Sequence, residues 1–281
     1  MKKFLIVTFL MAQISHAFVS GPGQVGPNEN FVSIENQSER GKVEPNENRA
    51  SFQDAKIDLQ KLRYSRGFDQ ILSISGAQLY AEYGQFKSAK EEVGSTVFYE
   101  ADQGSFVTLG LSGDIARTTE KQFGFYLQFS PIRNYNENKF SNPRVDQFAA
   151  GLTSSIGITD NLFQKQLIHF GSGDGQKQNS YIAFDTGFGY KLNSLFDRQF
   201  TLGGSLFLEA DTSQRFDSSY DAAFSPSGTQ DRIRAFKYGT VYSADVALAQ
   251  SLNLRVNYLQ KLGGYDARST EILSLNLGYK F

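Results

Sequence analysis

The sequence predicts an all-β fold, a closed antiparallel transmembrane β-barrel of ten strands, on three observations. Residues 69–281 alternate apolar and polar side chains with period two, the repeat of a strand rather than a helix. The connections between these alternating segments are short and long by turns. No uncharged apolar run reaches the ~20 residues that a membrane-crossing helix needs.

Residues 1–17 read as a signal peptide. Lys2 and Lys3 form a positive start, Phe4 to Met11 an apolar stretch, and Ser15-His16-Ala17 a small-residue cleavage site, with Phe18 as the expected mature start. Residues 18–68 read as a disordered arm, rich in Gly, Pro, Asn, Glu and Ser. The arm holds a repeat: Val25-Gly26-Pro27-Asn28-Glu29-Asn30 returns as Val43-Glu44-Pro45-Asn46-Glu47-Asn48. A duplicated linker is the plainer reading, and a duplicated partner-binding motif the sharper one. Within the arm, 51–63 reads as a short helix. Ser51 is its cap, and Phe52, Ala55, Leu59 and Leu62 form its stripe. Such a helix has room in the barrel mouth as a plug or against the rim.

The ten strands are expected at 70–84, 95–115, 122–130, 146–158, 162–171, 180–192, 199–210, 235–248, 252–262 and 271–281. A parity break between Ile74 and Ala77 predicts a bulge at Gly76. Apolar residues from Val97 to Ile115 keep one parity, which makes the second strand long and continuous. Splitting it and the first strand gives the alternative of twelve. Short links fall near 116–121, 159–161, 193–199 and 249–251. Long ones fall near 85–94, 131–145, 172–179, 211–235 and 263–269.

The final segment is the most regular. Leu273, Leu275, Leu277, Tyr279 and Phe281 share one face, and Ser274, Asn276, Gly278 and Lys280 the other. This resembles the closing strand of Gram-negative outer-membrane β-barrels, whose terminal aromatic is an assembly signal. The resemblance implies that 69–281 spans the outer membrane, with tight periplasmic turns, long external loops and the N-terminal arm in the periplasm. It further implies outer-membrane lipid as surroundings and the barrel-assembly machinery as a partner reached through the strand ending at Phe281.

Composition agrees. The chain has no cysteine, which excludes disulfides, thiol nucleophiles and cysteine metal sites. Tryptophan is absent, but 25 Phe and 14 Tyr suffice for an interfacial girdle. The formal charge is −1, and loss of Lys2 and Lys3 lowers it to −3, which gives no footprint for nucleic acid. The mean hydropathy of −0.37 suits a barrel in which only alternate residues meet lipid.

With the apolar parity outward, the lumen receives Glu82, Glu100, Asp114, Lys165, Asp185, Lys191, Glu209, Lys237, Asp245, Arg255 and Lys280. If 249–251 is a three-residue turn, Asp245 lies opposite Arg255 and the two form a lumenal ion pair. It either braces the barrel or filters solutes. The selectivity candidates are Asp245, Arg255, Lys237, Glu209, Asp185 and Lys191. Lumenal glycines, serines and alanines are expected to leave some free space.

Catalysis is not expected. A barrel lipase needs a serine activated by histidine. His169 is inward and near the external end of its strand, but Ser172 has the opposite parity, and Asp174 is merely close in sequence. No spacing singles out Asp174, Asp211 or Asp217 as acids of a protease. Gly171-Ser172-Gly173-Asp174-Gly175 precedes no helix, so it is a hairpin tip rather than a phosphate cradle. The longest loop, 211–235, mixes acids, arginines and aromatics, and is read as solvated loop before adhesion surface. No cofactor or metal is expected. The leading function is a porin-like passive channel for small polar solutes, and the alternative is a closed structural or surface-recognition barrel.

Overall fold

The structure, a computed structural model, describes residues 25–41, 55–89, 91–93, 96–99, 102–135, 145–172, 180–195, 198–212, 215–216, 232–233, 236–265 and 271–281. Twelve long strands dominate it. In chain order they are β1 (Asn30–Gly41), β2 (Ala55–Gly67), β3 (Ile74–Ser88), β4 (Gln103–Arg117), β5 (Lys121–Asn134) and β6 (Phe148–Gly157). They continue as β7 (Leu162–Gly171), β8 (Tyr181–Leu195), β9 (Arg198–Asp211), β10 (Phe236–Ala247), β11 (Leu252–Tyr265) and β12 (Glu271–Lys280). Each is antiparallel to the next, and β1 closes the sheet on β12, with Phe31 opposite Lys280 and Arg40 opposite Glu271. Closure leaves no edge among these strands. The seam is finished by reciprocal backbone hydrogen bonds between Asn30 and Phe281, at 2.9 and 3.0 Å.

Twelve strands replace the expected ten, and the additional pair arises where no strand was expected. β1 and β2 come from the segment read as a disordered arm, not from splitting the first two predicted strands. In β1 the inward residues are Phe31, Ser33, Glu35, Gln37 and Glu39, and only Val32 and Ile34 make an apolar outward face, so the alternation is too short to register. In β2 the supposed helical stripe is divided: Leu59 is buried inward and Leu62 is exposed outward. Spacing of three places two residues on one helical face but on opposite faces of a strand. Pairing with both β1 and β3 decides the matter. Residues 51–54 of the proposed helix lie outside the described residues.

The first copy of the repeat is likewise ordered. Val25 is buried, and its N–H donates to Gln78 Oε1 at 3.1 Å. Asn28 N–H donates to the Gly67 carbonyl at 3.0 Å, and Glu29 pairs with Lys280 at 2.5 Å. This turn therefore packs on the terminal end of the barrel. The second copy lies outside the described residues.

The second predicted strand also changes. β4 begins at Gln103, and Glu91–Val93 pairs with Thr96–Tyr99 as a separate small hairpin. The bulge falls where the parity break put it: Gly76 has φ of 55°, and the β3–β4 register shifts between Ser75 and Gln78. Just before it, Leu72 and Ser73 both have positive φ, the backbone of a two-residue hairpin turn between Ile71 and Ile74. A second bulge between Val107 and Leu109 accommodates Pro131, which has no N–H for the ladder.

Short turns gather at the end that carries Asn30 and Phe281, and the long connections lie at the other. The sidedness is as the alternation requires. Leu275 and Leu277 are 45% and 43% exposed, as is most of the outward belt of Leu, Phe and Tyr, whereas Ser274 is fully buried within. So large an apolar outer surface is compatible with hydrocarbon and not with water.

Candidate functional site: the barrel interior

Antiparallel register places inward residues of neighbouring strands directly opposite each other, and among the described residues four such rungs are ion pairs. Glu35 faces Lys61 at 3.7 Å, and Arg63 faces Glu82 with its Nε 2.9 Å from Oε2. Glu209 faces Lys237 at 3.4 Å, and Asp245 faces Arg255 in a charge-assisted hydrogen bond from the guanidinium Nε. Leu248 N–H bonds the Leu252 carbonyl at 2.8 Å, which fixes the turn that brings the last pair together. Each pair is formed across adjacent strands, so it ties the wall without bridging the lumen.

The other two candidates are placed differently. Asp185 is buried and accepts a hydrogen bond from Ser205 Oγ at 3.0 Å. Lys191 lies near the short-turn end, where its Nζ is 5.8 Å from the Phe163 ring centroid and Lys165 Nζ is 4.9 Å from the same centroid. Glu82 is inward as expected, and Glu100 lies outside the described residues.

Six inward aromatics share one arrangement, and a seventh, Phe31, lies on Gly278 diagonally, since its direct partner is Lys280. Tyr80 lies on Gly110, Phe106 on Gly84, Tyr126 on Gly151, Phe163 on Gly189, Tyr181 on Gly171 and Phe207 on Gly239. In all six pairs the ring and the glycine are direct cross-strand partners. A Cβ at any of these glycines would collide with the ring. At these glycines a neighbouring ring occupies the place that a Cβ would take.

Toward the long loops the interior carries apolar clusters as well as charge, against expectation. Ile57, Leu59, Phe86, Phe106 and Val145 form one cluster, with Tyr135 edge-on to Phe86 at 5.3 Å. Phe207, Val241, Leu259 and Ile272 form another. Parity reading misassigned this zone because it sent every apolar residue to the lipid. Packing and charge share this part of the wall, since Glu209 and Lys237 lie beyond Phe207 and Val241 toward the long loops.

His169 is inward, as its parity indicated, and is 1% exposed. Its Nδ1 meets the Tyr126 hydroxyl, and its Nε2 is 2.9 Å from the Tyr181 hydroxyl, which donates to Asp146 Oδ2 at 2.8 Å. In the neutral imidazole one tautomer satisfies the chain: Tyr126 donates to Nδ1, and Nε2–H donates to Tyr181. Both ring nitrogens are therefore occupied. Ser172 is held elsewhere, donating to the Phe148 carbonyl at 2.9 Å, and Asp174 and Asp217 lie outside the described residues. Sequence reasoning missed Asp146 and the tyrosines because they come from segments far apart in the chain, Asp146 from just before β6 and the tyrosines from β5 and β8. It missed Lys61 and Arg63 because β2 was read as a helix.

The sequence matches no protein-family model and no curated protein. Among solved structures, an outer membrane channel from Pseudomonas putida F1 superposes with a TM-score of 0.65 at 12% identity, covering 93% of this chain and 99% of that one. The β domain of the Bordetella autotransporter Brka gives a TM-score of 0.54 at 12% identity, over 90% of this chain and all of that one. At such identities the likeness is one of fold. This chain has the fold of the outer-membrane β-barrel proteins.

Proposed function

We propose that the protein is a porin-like passive channel for small polar solutes in the outer membrane of a Gram-negative bacterium. One observation carries the reading: six inward rings are laid on glycines of the neighbouring strand rather than across the lumen, so bulk is held against the wall. The charged rungs then line the path, and Asp245, Arg255, Lys237, Glu209, Asp185 and Lys191 set which solutes pass. Residues 1–17 serve export, and the strand ending at Phe281 is recognised by the barrel-assembly machinery. This reading assigns no enzymatic role.

A closed structural barrel acting through its loops is favoured by a different observation. Arg63, Glu82, Asp185, Glu209, Lys237 and Arg255 are each less than a tenth exposed. Conductance of the purified protein in a planar bilayer separates the two. Discrete current steps that change in ion preference on Arg255→Ala are the expected outcome, and an inserted but silent barrel would establish the closed form.

A further inference from the structure

Outward polar side chains interrupt the apolar belt on several walls: Asn36, Gln60 and Gln85 on β1–β3, where Gln85 Nε2 donates to Gln60 Oε1 at 2.9 Å, Thr240 and Gln260 on β10 and β11, and a row on β6–β8. On β6, β7 and β8, Ser154, Gln166 and Thr186 face outward as successive cross-strand partners. Apolar residues flank the row on both sides along β6 and β8, Leu152 and Ile156 around Ser154 and Phe184 and Phe188 around Thr186, and on one side along β7, at Ile168. The row is thus in the belt and not at its rim. Gln164 adjoins it, opposite Ile156 and Phe188. Ser154 Oγ donates to Gln166 Oε1 at 3.4 Å. That bond leaves the Gln166 amide N–H groups, and the whole Gln164 amide, without a side-chain partner among the described residues.

Hydrocarbon offers such groups nothing, and an amide unbonded in lipid is costly. Their partner must reach the belt and both donate and accept. We propose that a second copy of this chain docks here, wall to wall through β6–β8. Two barrels inserted in the same direction hold Gln164 and Gln166 at the same depth. A two-fold arrangement sets amide against amide, and a carboxamide is self-complementary. Small side chains at Ser154 and Thr186 permit close approach. So does Gly204, opposite Phe188, where an added Cβ would meet nothing within 4 Å. The inference rests on the membrane-spanning reading of the belt but not on conduction.

The absence of cysteine makes the test direct. Ile168→Cys, outward beside Gln166, and Ile34→Cys, on the far wall, are reconstituted separately in phospholipid vesicles and treated with a short bismaleimide. Crosslinked dimer from Ile168→Cys in large excess over Ile34→Cys is expected. Gln164→Leu and Gln166→Leu, combined in the Ile168→Cys background, should abolish that excess while the barrel keeps its heat-dependent gel mobility. Equal crosslinking at the two positions, or an excess that survives both leucines, would overturn the interface. Failure of the cysteine variants to insert into vesicles would instead overturn the belt reading beneath it, and light scattering of the wild type in detergent micelles gives a second count of copies.

Discussion

At the residue scale, the Asp245–Arg255 rung shows how local register makes a buried charge tolerable. Both groups leave water together, and each is the other's hydrogen-bond partner. Arg255→Ala strands Asp245 in the wall, and a loss of about 3–5 kcal/mol is expected, measured by urea unfolding of the reconstituted protein. Replacing both by leucine should cost less, because neither member of the pair is left facing an uncharged partner. The ring-on-glycine pairs give a steric counterpart. Gly189→Ala drives a methyl into Phe163, and overpacking of this kind costs about 1–3 kcal/mol. Phe163→Leu in the same chain should recover much of that loss. A wall glycine that merely left space would show neither effect.

At the element scale, strands with a long apolar outward face were legible in the sequence, and strands without one were not. β12 announces itself through four apolar outward residues, so Leu275→Arg should destabilise insertion by about 2–4 kcal/mol, read as a shift in the urea midpoint in vesicles. β1 has two outward apolar residues and β2 has Leu62 and Tyr64, and both strands were overlooked. Their inward sides, which hold the Glu35–Lys61 and Arg63–Glu82 rungs, carry no periodic signal until a partner strand stands opposite. Pairing information is nonlocal, whereas alternation is local. That is why the Asp245–Arg255 rung could be placed from a tight hairpin and the Arg63–Glu82 rung could not. Gly76 was legible for the same reason, since a bulge breaks parity within one strand.

At the scale of the whole molecule, β1 matters more than its modest sequence suggests, because it is the strand that closes the sheet. It pairs along its length with β12 on one side and β2 on the other. Without it, two full rows of backbone N–H and C=O groups would face hydrocarbon, where each unpaired group costs several kcal/mol. No repacking within the remaining eleven strands cures this. An odd number also brings β2 and β12, both running from the long-loop end to the short-turn end, side by side as parallel neighbours. Deleting residues 25–41 should therefore abolish the barrel as a unit rather than shorten it. The expected result is loss of the folded, heat-sensitive gel band and full protease digestion in vesicles. The same length of chain removed from the 212–235 connection should leave the band in place. Survival of a resistant eleven-stranded product would mean that closure does not depend on this strand.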